Sequence, residues 1–377
     1  MFSVRFSPVN FSGRTANLCY SNPNVTSPLV SYGNDVFVRS ANSCEAVSGG
    51  INEKRIEEIY NQTYETFISQ NPIIGELNYT RPKLIISHDK DSSADAKYNR
   101  ITNNISLSAN LNKDLFIVGI KDNKGKYVQA QLMSKDSVDT FLELLKGKIP
   151  DDNIKVLKLN SQEKEVWLSS AFAHELRHSM QSHLVLSTQG CSEQYKEHLL
   201  RIPKFTQAKR KEIEGFIQQL NWQILQITAS PLSSEQKNEL LKQITPKKEQ
   251  LEEYCKKFKT ADIKDEDNYL LTYQPKKLLP SDTIMPIFPG SSSYWSIKDH
   301  FAPFKSAGSA NGDEKQEIYI SDPNEIDAYL YGADFLSFTD NPQARQEVID
   351  LLILQNENTA YEGIGLMEKY GYPSLIY

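Results

Sequence analysis

The 377-residue sequence predicts an α+β chain: a mixed, mostly antiparallel sheet packed on one long helix, with an antiparallel helical hairpin inserted in the second half. Three observations lead there. Short β-type segments cluster between 83 and 133, a long segment with a strong helix-start signal follows at 161–186, and an alternating three-and-four apolar spacing runs through 204–260. A hydrophobic content of 39% and a charged content of 24% suffice for a real core, which excludes a disordered chain.

Residues 1–50 are rich in Ser, Asn, Gly and Pro without a period and read as an irregular arm. The main domain opens at 51, runs to 203 and resumes over 261–377. A helix is expected over 52–69, with Ile56, Ile59, Tyr60, Tyr64 and Ile68 on one face. Strands follow at 83–87, 101–107, 115–120 and 127–133, the last two joined by a turn at Lys121–Gly125. Val138–Leu145 reads as a helix that stops at Gly147, and Ile154–Leu159 as a strand. Asn160 with Glu163 has the form of a capping box and starts the long helix. In 204–260, Ile213, Phe216/Ile217, Leu220, Ile224 and Ile227, then Leu240/Leu241, Ile244, Lys248 as a polar default, Leu251, Tyr254/Cys255 and Phe258, form the seam of the hairpin, with a bend expected at Thr245-Pro246. Its exposed face is a possible docking surface for a protein partner. The 273–312 segment, with five prolines and several aromatics, is too long for a plain connector. Helices are expected again from Pro323 and over 343–354.

Charge and composition remove several function classes. A net charge of −6 without a Lys/Arg cluster leaves no nucleic-acid surface. The apolar runs at Leu115–Val118 and Leu351–Leu354 are too short for a membrane span. MFSVRFSPVNFSG lacks a basic region followed by an apolar stretch and does not read as a Sec signal peptide, and Cys19, Cys44, Cys191 and Cys255 lie too far apart to read as a disulfide framework. The expected setting is cytoplasmic, or export by a route that ignores signal peptides, as for a secreted bacterial effector.

The chemistry concentrates in Ala173-His174-Glu175-Leu176-Arg177-His178. Helical positions i and i+4 lie about 40° apart, so His174 and His178 point the same way and can grip one metal ion. Glu175 stands beside them, where it can take a proton from a coordinated water. Zinc (Zn2+) is the expected ion, because it accepts imidazole nitrogen and keeps an open position in catalytic sites. Leu168, Phe172, Leu176 and Met180 form a stripe roughly 160° from the histidines, which anchors the helix and leaves the pair facing a cleft. Residues 103–107 are expected to pair with an extended peptide.

Downstream, Asp322-Pro323-Asn324-Glu325-Ile326-Asp327-Ala328 offers a third ligand. With it the chain resembles the zincin metallopeptidases, in the branch whose third ligand is a Glu on a later helix (gluzincins). The matching residues are His174-Glu175-Leu176-Arg177-His178 and Glu325-x-x-Ala328. The longer pattern with Gln181 and Asp327 is similar to several bacterial metallopeptidase families. The resemblance covers roughly 100–190 and 315–340. It implies a zincin-like fold, zinc held by His174, His178 and Glu325, Glu175 as general base, and hydrolysis of a protein or peptide substrate. The metzincin pattern is absent, since His183 lies about 140° around the helix from His178.

Alternatives stand beside this. Asp327 competes for the third position, and Asp322, Pro323 and Glu325 also have the form of a helix cap. Tyr319, Tyr329, Tyr331 and His300 are candidate oxyanion donors, Arg177 is expected to ion-pair at the surface, and Gln181 to be an exposed residue or to orient a ligand. His88 and His198 lack partners at metal spacing, and Cys191 lacks a nucleophile motif. The rival function is a non-catalytic binding protein that docks a partner through the hairpin and aromatic segment.

Overall fold

The computed structural model describes residues 51–87, 96–108, 114–257, 268–288, 291–301 and 312–375. The arm expected over 1–50, with Cys19 and Cys44, and His88 lie outside the described residues, as do 302–311 of the aromatic segment. The chain forms two compact units. One runs to Tyr195 and resumes at Tyr273; the other is Lys196–Thr272. The first unit is α+β.

In the first unit, helix α1 (Glu53–Gln70) starts where the Asn52 side chain accepts from the Arg55 N–H, and it buries Ile56, Ile59, Tyr60 and Phe67. Strands β1 (Lys83–Ser87), β2 (Ala96–Asn99) and β3 (Asn104–Ser108) form a sheet of order β1-β3-β2, with β1 parallel and β2 antiparallel to β3. The expected peptide-binding strand at 103–107 is therefore the middle strand, paired on both sides; among the described residues β2 is the edge strand beside the long helix. Asn103 turns the β2–β3 hairpin at φ 50, a left-handed conformation that Asn tolerates.

A second sheet, β5-β4-β6, joins β4 (Leu115–Lys121), β5 (Tyr127–Ser134) and β6 (Ile154–Lys158), all antiparallel. Asp122 Oδ1 holds the β4–β5 turn by accepting from the Lys124 and Lys126 N–H groups. Helix α2 (Lys135–Leu145) lays Val138, Phe141 and Leu145 on Val118, Ile120 and Met133. With its own core beneath α2, this sheet stands apart from β1–β3, so the one expected sheet is several small ones. A two-stranded piece, β7 (Ile284–Pro286) with β8 (Tyr294–Ser296), adds order within the segment read as irregular.

Helix α3 (Ser161–Leu186) opens on a complete capping box: Asn160 Oδ1 accepts from the Glu163 N–H at 2.9 Å, and Glu163 accepts from the Asn160 N–H at 2.8 Å. From Ser170 to Leu186 every residue is buried. The expected single apolar stripe is thus a minimum, because α1, the β2–β3 hairpin and helix α8 (Pro323–Phe338) pack around α3. Helix α7 (Gly312–Ile320) precedes α8, and helix α9 (Gln346–Leu366), longer than its apolar pattern indicates, packs on α8 and the β4–β5 sheet.

The second unit contains most of helix α4 (Ser192–Ala229), helix α5 (Ser234–Lys257), with Pro246 inside it, and the short helix α6 (Tyr269–Thr272). The helical region thus begins well before 204. Ile213 is buried and Ile217, Leu220, Ile224, Ile227, Leu241, Ile244 and Leu251 are half-buried, as their spacing implies, whereas Phe216 and Leu240 are exposed because only one residue of each adjacent pair can face the partner helix; Phe258 lies outside the described residues. Trp222 and Leu225 stand on the exposed side. Among the described residues no helix is long and apolar enough to cross a membrane.

Candidate metal centre

The middle of α3 carries His174 and His178 one turn apart, and the first turn of α8 brings Glu325 to them. His174 Nε2 lies 3.1 Å from His178 Nε2; Glu325 Oε2 lies 3.4 Å from the first and 3.3 Å from the second. All three side chains are buried. Among the described residues this is the group of three His, Cys, Asp or Glu side chains that can hold a metal ion.

Why Glu325 reaches the histidines follows from the start of α8. Asp322 caps the helix by accepting from the Asn324 N–H at 2.8 Å, and the Asp322 N–H donates to the Tyr319 carbonyl at 3.1 Å. No capping box is needed from Glu325, so its carboxylate is released to the site. Burial alone would raise the pKa of Glu325. The charge of His178 and the close approach of both imidazoles, 3.3 and 3.4 Å away, reverse this and hold it well below the usual carboxylate range. Burial works against protonation of His178, and the adjacent Glu325 overcomes it, lifting the imidazole to about 9.

Asp327 does not compete. Arg177 grips it from Nε at 2.6 Å and from Nη2 at 2.8 Å, a forked pair with both side chains buried. Arg177, expected at the surface, is one of the largest fully buried side chains, 2% exposed. Its remaining N–H groups donate to Asn71 Oδ1 at 3.1 Å and to the Ile287 carbonyl at 3.0 Å. Gln181 is buried as well, its oxygen 2.8 Å from His178 Nδ1 and its nitrogen donating to Asp327 Oδ2 and the Asn324 carbonyl.

Glu175 sits beside the triad, with Oε2 accepting from the Tyr98 N–H of edge strand β2 at 2.6 Å. Burial raises its pKa, and the neighbouring imidazoles offset this only in part. Of the suggested oxyanion donors, Tyr329 packs its ring on His174 with centroids 4.6 Å apart. Tyr331 belongs to the Arg177 network, accepting from Asn71 and donating to Gln70. His300 is held by Ser296 and packs on Trp295, and burial lowers its pKa. Cys191 is a buried free thiol whose pKa burial raises, opposite to what a nucleophile needs.

Two features were not read from the sequence. Arg100, in the β2–β3 turn, acts electrostatically on His178, whose pKa it lowers; burial works against the charge of Arg100, yet Tyr195, Asp322 and Glu325 raise its pKa. Nothing in the local sequence marks it, because the short AKYN strand that delivers it carries no strong pattern. The second is the pairing of Arg177 with Asp327 and its link to Gln181, for which a ligand-orienting part was one of the two expectations; it did leave a signal, since His174, Arg177, His178 and Gln181 fall at i, i+3, i+4 and i+7. Compared with family models, curated proteins and solved structures, the chain gives no match.

Proposed function

We propose that the chain is a zinc-dependent metallopeptidase of the zincin type, with His174, His178 and Glu325 as zinc ligands and Glu175 as general base. One observation carries this: two imidazole nitrogens and a carboxylate oxygen, each able to ligate a metal, face one another at 3.1, 3.3 and 3.4 Å inside a buried site. Tetrahedral zinc, with bonds of 2.0–2.1 Å, separates its ligands by about 3.3 Å, so the three atoms match one face of such a coordination shell. When bound, zinc supplies a Lewis acid for a substrate carbonyl and brings the pKa of a coordinated water to about 7.

The chain's own groups do the rest. Glu175, with its raised pKa, is suited to accept a proton from water and return it to a leaving amine. The Tyr98 N–H fixes the Glu175 carboxylate in place. Edge strand β2 takes the part expected of 103–107: its outer side faces Glu175, so an extended peptide laid along it meets the base.

The test is a peptidase assay on broad peptide libraries, comparing wild type with Glu175→Gln at equal zinc content. Turnover should fall at least about 10²-fold in the variant. Zinc-loaded wild type without any turnover would instead favour a non-catalytic binding protein.

A further inference from the structure

We propose, on the strength of the metal site assigned above, that Gln181 is a positioning residue that fixes His178 for metal binding, and that Asp327 and Arg177 hold Gln181 in the one orientation able to do so. The chain of contacts runs Arg177–Asp327–Gln181–His178, at 2.6, 2.7 and 2.8 Å. Arg177 donates all of its contacts, so Asp327 accepts there. Asp327 Oδ2 also accepts from the Gln181 amide nitrogen. The Asn324 carbonyl accepts from that same nitrogen at 2.9 Å. Two acceptors on one side of the amide settle which end is NH2, and the amide oxygen is left facing His178 Nδ1.

A carbonyl oxygen can only accept, so His178 carries a hydrogen on Nδ1, which leaves Nε2 as the nitrogen able to offer a lone pair to a metal. Nε2 is the atom that lies 3.1 Å from His174 Nε2 and 3.3 Å from Glu325 Oε2. The second contribution is mechanical. Arg177 also donates to Asn71 at the end of α1 and to the Ile287 carbonyl just past β7, so four segments clamp the network that orients one metal ligand. Asp327 is thereby an anchor two residues beyond the ligand Glu325, and the two acidic residues of α8 have separate tasks.

The experiment measures zinc affinity by competition with a chromophoric chelator on the full chain, for wild type, Gln181→Met and Gln181→Glu, with metal-free melting curves as the folding control. Methionine fills a similar volume without accepting a hydrogen bond, and its zinc Kd should rise about 10- to 100-fold. Glutamate keeps an acceptor for His178 but sets a carboxylate oxygen against Asp327 Oδ2 and the Asn324 carbonyl in place of the amide NH2. It loses the anchor, and its zinc Kd should also rise about tenfold or more. Cobalt(II) substitution adds a geometric readout: the intensity of its visible bands should change in both variants. Equal zinc affinity in wild type and Gln181→Met would overturn the positioning role and leave the metal site standing. Wild-type affinity in Gln181→Glu would overturn the anchoring by Asp327. A wild type that binds no zinc would overturn the metal site itself. If Gln181→Met does not fold, Gln181→Glu alone decides: weaker zinc binding in a folded protein supports the role, and wild-type-like affinity refutes it.

Discussion

At the scale of single residues, α3 shows how burial and pairing set chemistry. Arg177 and Asp327 are both removed from water, at 2% and 0% side-chain exposure. Such a pair is worth little against an apolar substitute, but losing one partner costs about 3–5 kcal/mol. His183, five residues beyond His178, shows the opposite solution. It stays neutral: Nδ1 lies 2.7 Å from the Ser179 carbonyl and Nε2 accepts from the Thr80 N–H, while Tyr79 and Tyr273 pack on the ring. Burial pulls its pKa down to about 4. The unfolded chain takes up this proton first, near pH 6.5, so the contribution to stability is complete above that pH and is lost as pH falls towards 4. Its ceiling is about 3 kcal/mol. Urea unfolding from pH 7.5 to 4.5 should therefore show a steeper loss in wild type than in His183→Phe; parallel curves would show that His183 does not titrate this way. The sequence excluded His183 as a metal ligand by its angle around the helix, and the structure supplies what it does instead. Arg177 was misread because a lone Arg between two histidines gives no hint of its partner, which lies 150 positions away in the chain.

At the scale of elements, legibility followed local chemistry. The start of α3 was plain because Asn160 and Glu163 satisfy each other's backbone within four residues. β2 and α7 were missed, since a four-residue strand and a helix with no clear apolar face acquire their identity from neighbours. The extension of α9 beyond 354 escaped for a related reason: its later turns carry Asn, Glu and Gly, and tertiary packing overrides their weak propensity. Gly363 shows that packing directly. A Cβ there would run into the Ile320 carbonyl oxygen at the end of α7 and crowd Ile326, the residue after Glu325. Gly363→Ala gains up to about 1 kcal/mol of helix propensity. Overpacking should outweigh this, for a net loss of about 1–3 kcal/mol in chemical denaturation. A more stable variant would mean that α7 and α9 do not approach so closely.

At the scale of the whole molecule, the site is assembled from two distant stretches, 174–181 and 325–327, with the Lys196–Thr272 unit between them in sequence. Both ends of the first unit that flank this excursion are tied to the last turns of α3: the Tyr195 hydroxyl lies 2.6 Å from Ser182 Oγ, and the Tyr273 hydroxyl 2.7 Å from Ser187 Oγ. The chain thus leaves and re-enters the first unit near the same helix end, and the long separation of His178 and Glu325 in sequence sets no obstacle to their meeting. The pair on α3 was legible because helix geometry is local. The choice between Glu325 and Asp327 was not, since it depends on where Arg177 and Gln181 point once α3 and α8 are packed.

Zinc per chain, measured by elemental analysis on wild type and Glu325→Ala after dialysis against the same zinc-containing buffer, tests the central claim most directly. One zinc in wild type and less than about a tenth of that in the variant is the expected result, since a three-ligand site does not survive the loss of its carboxylate. Equal zinc in both proteins, or none in either, would contradict it.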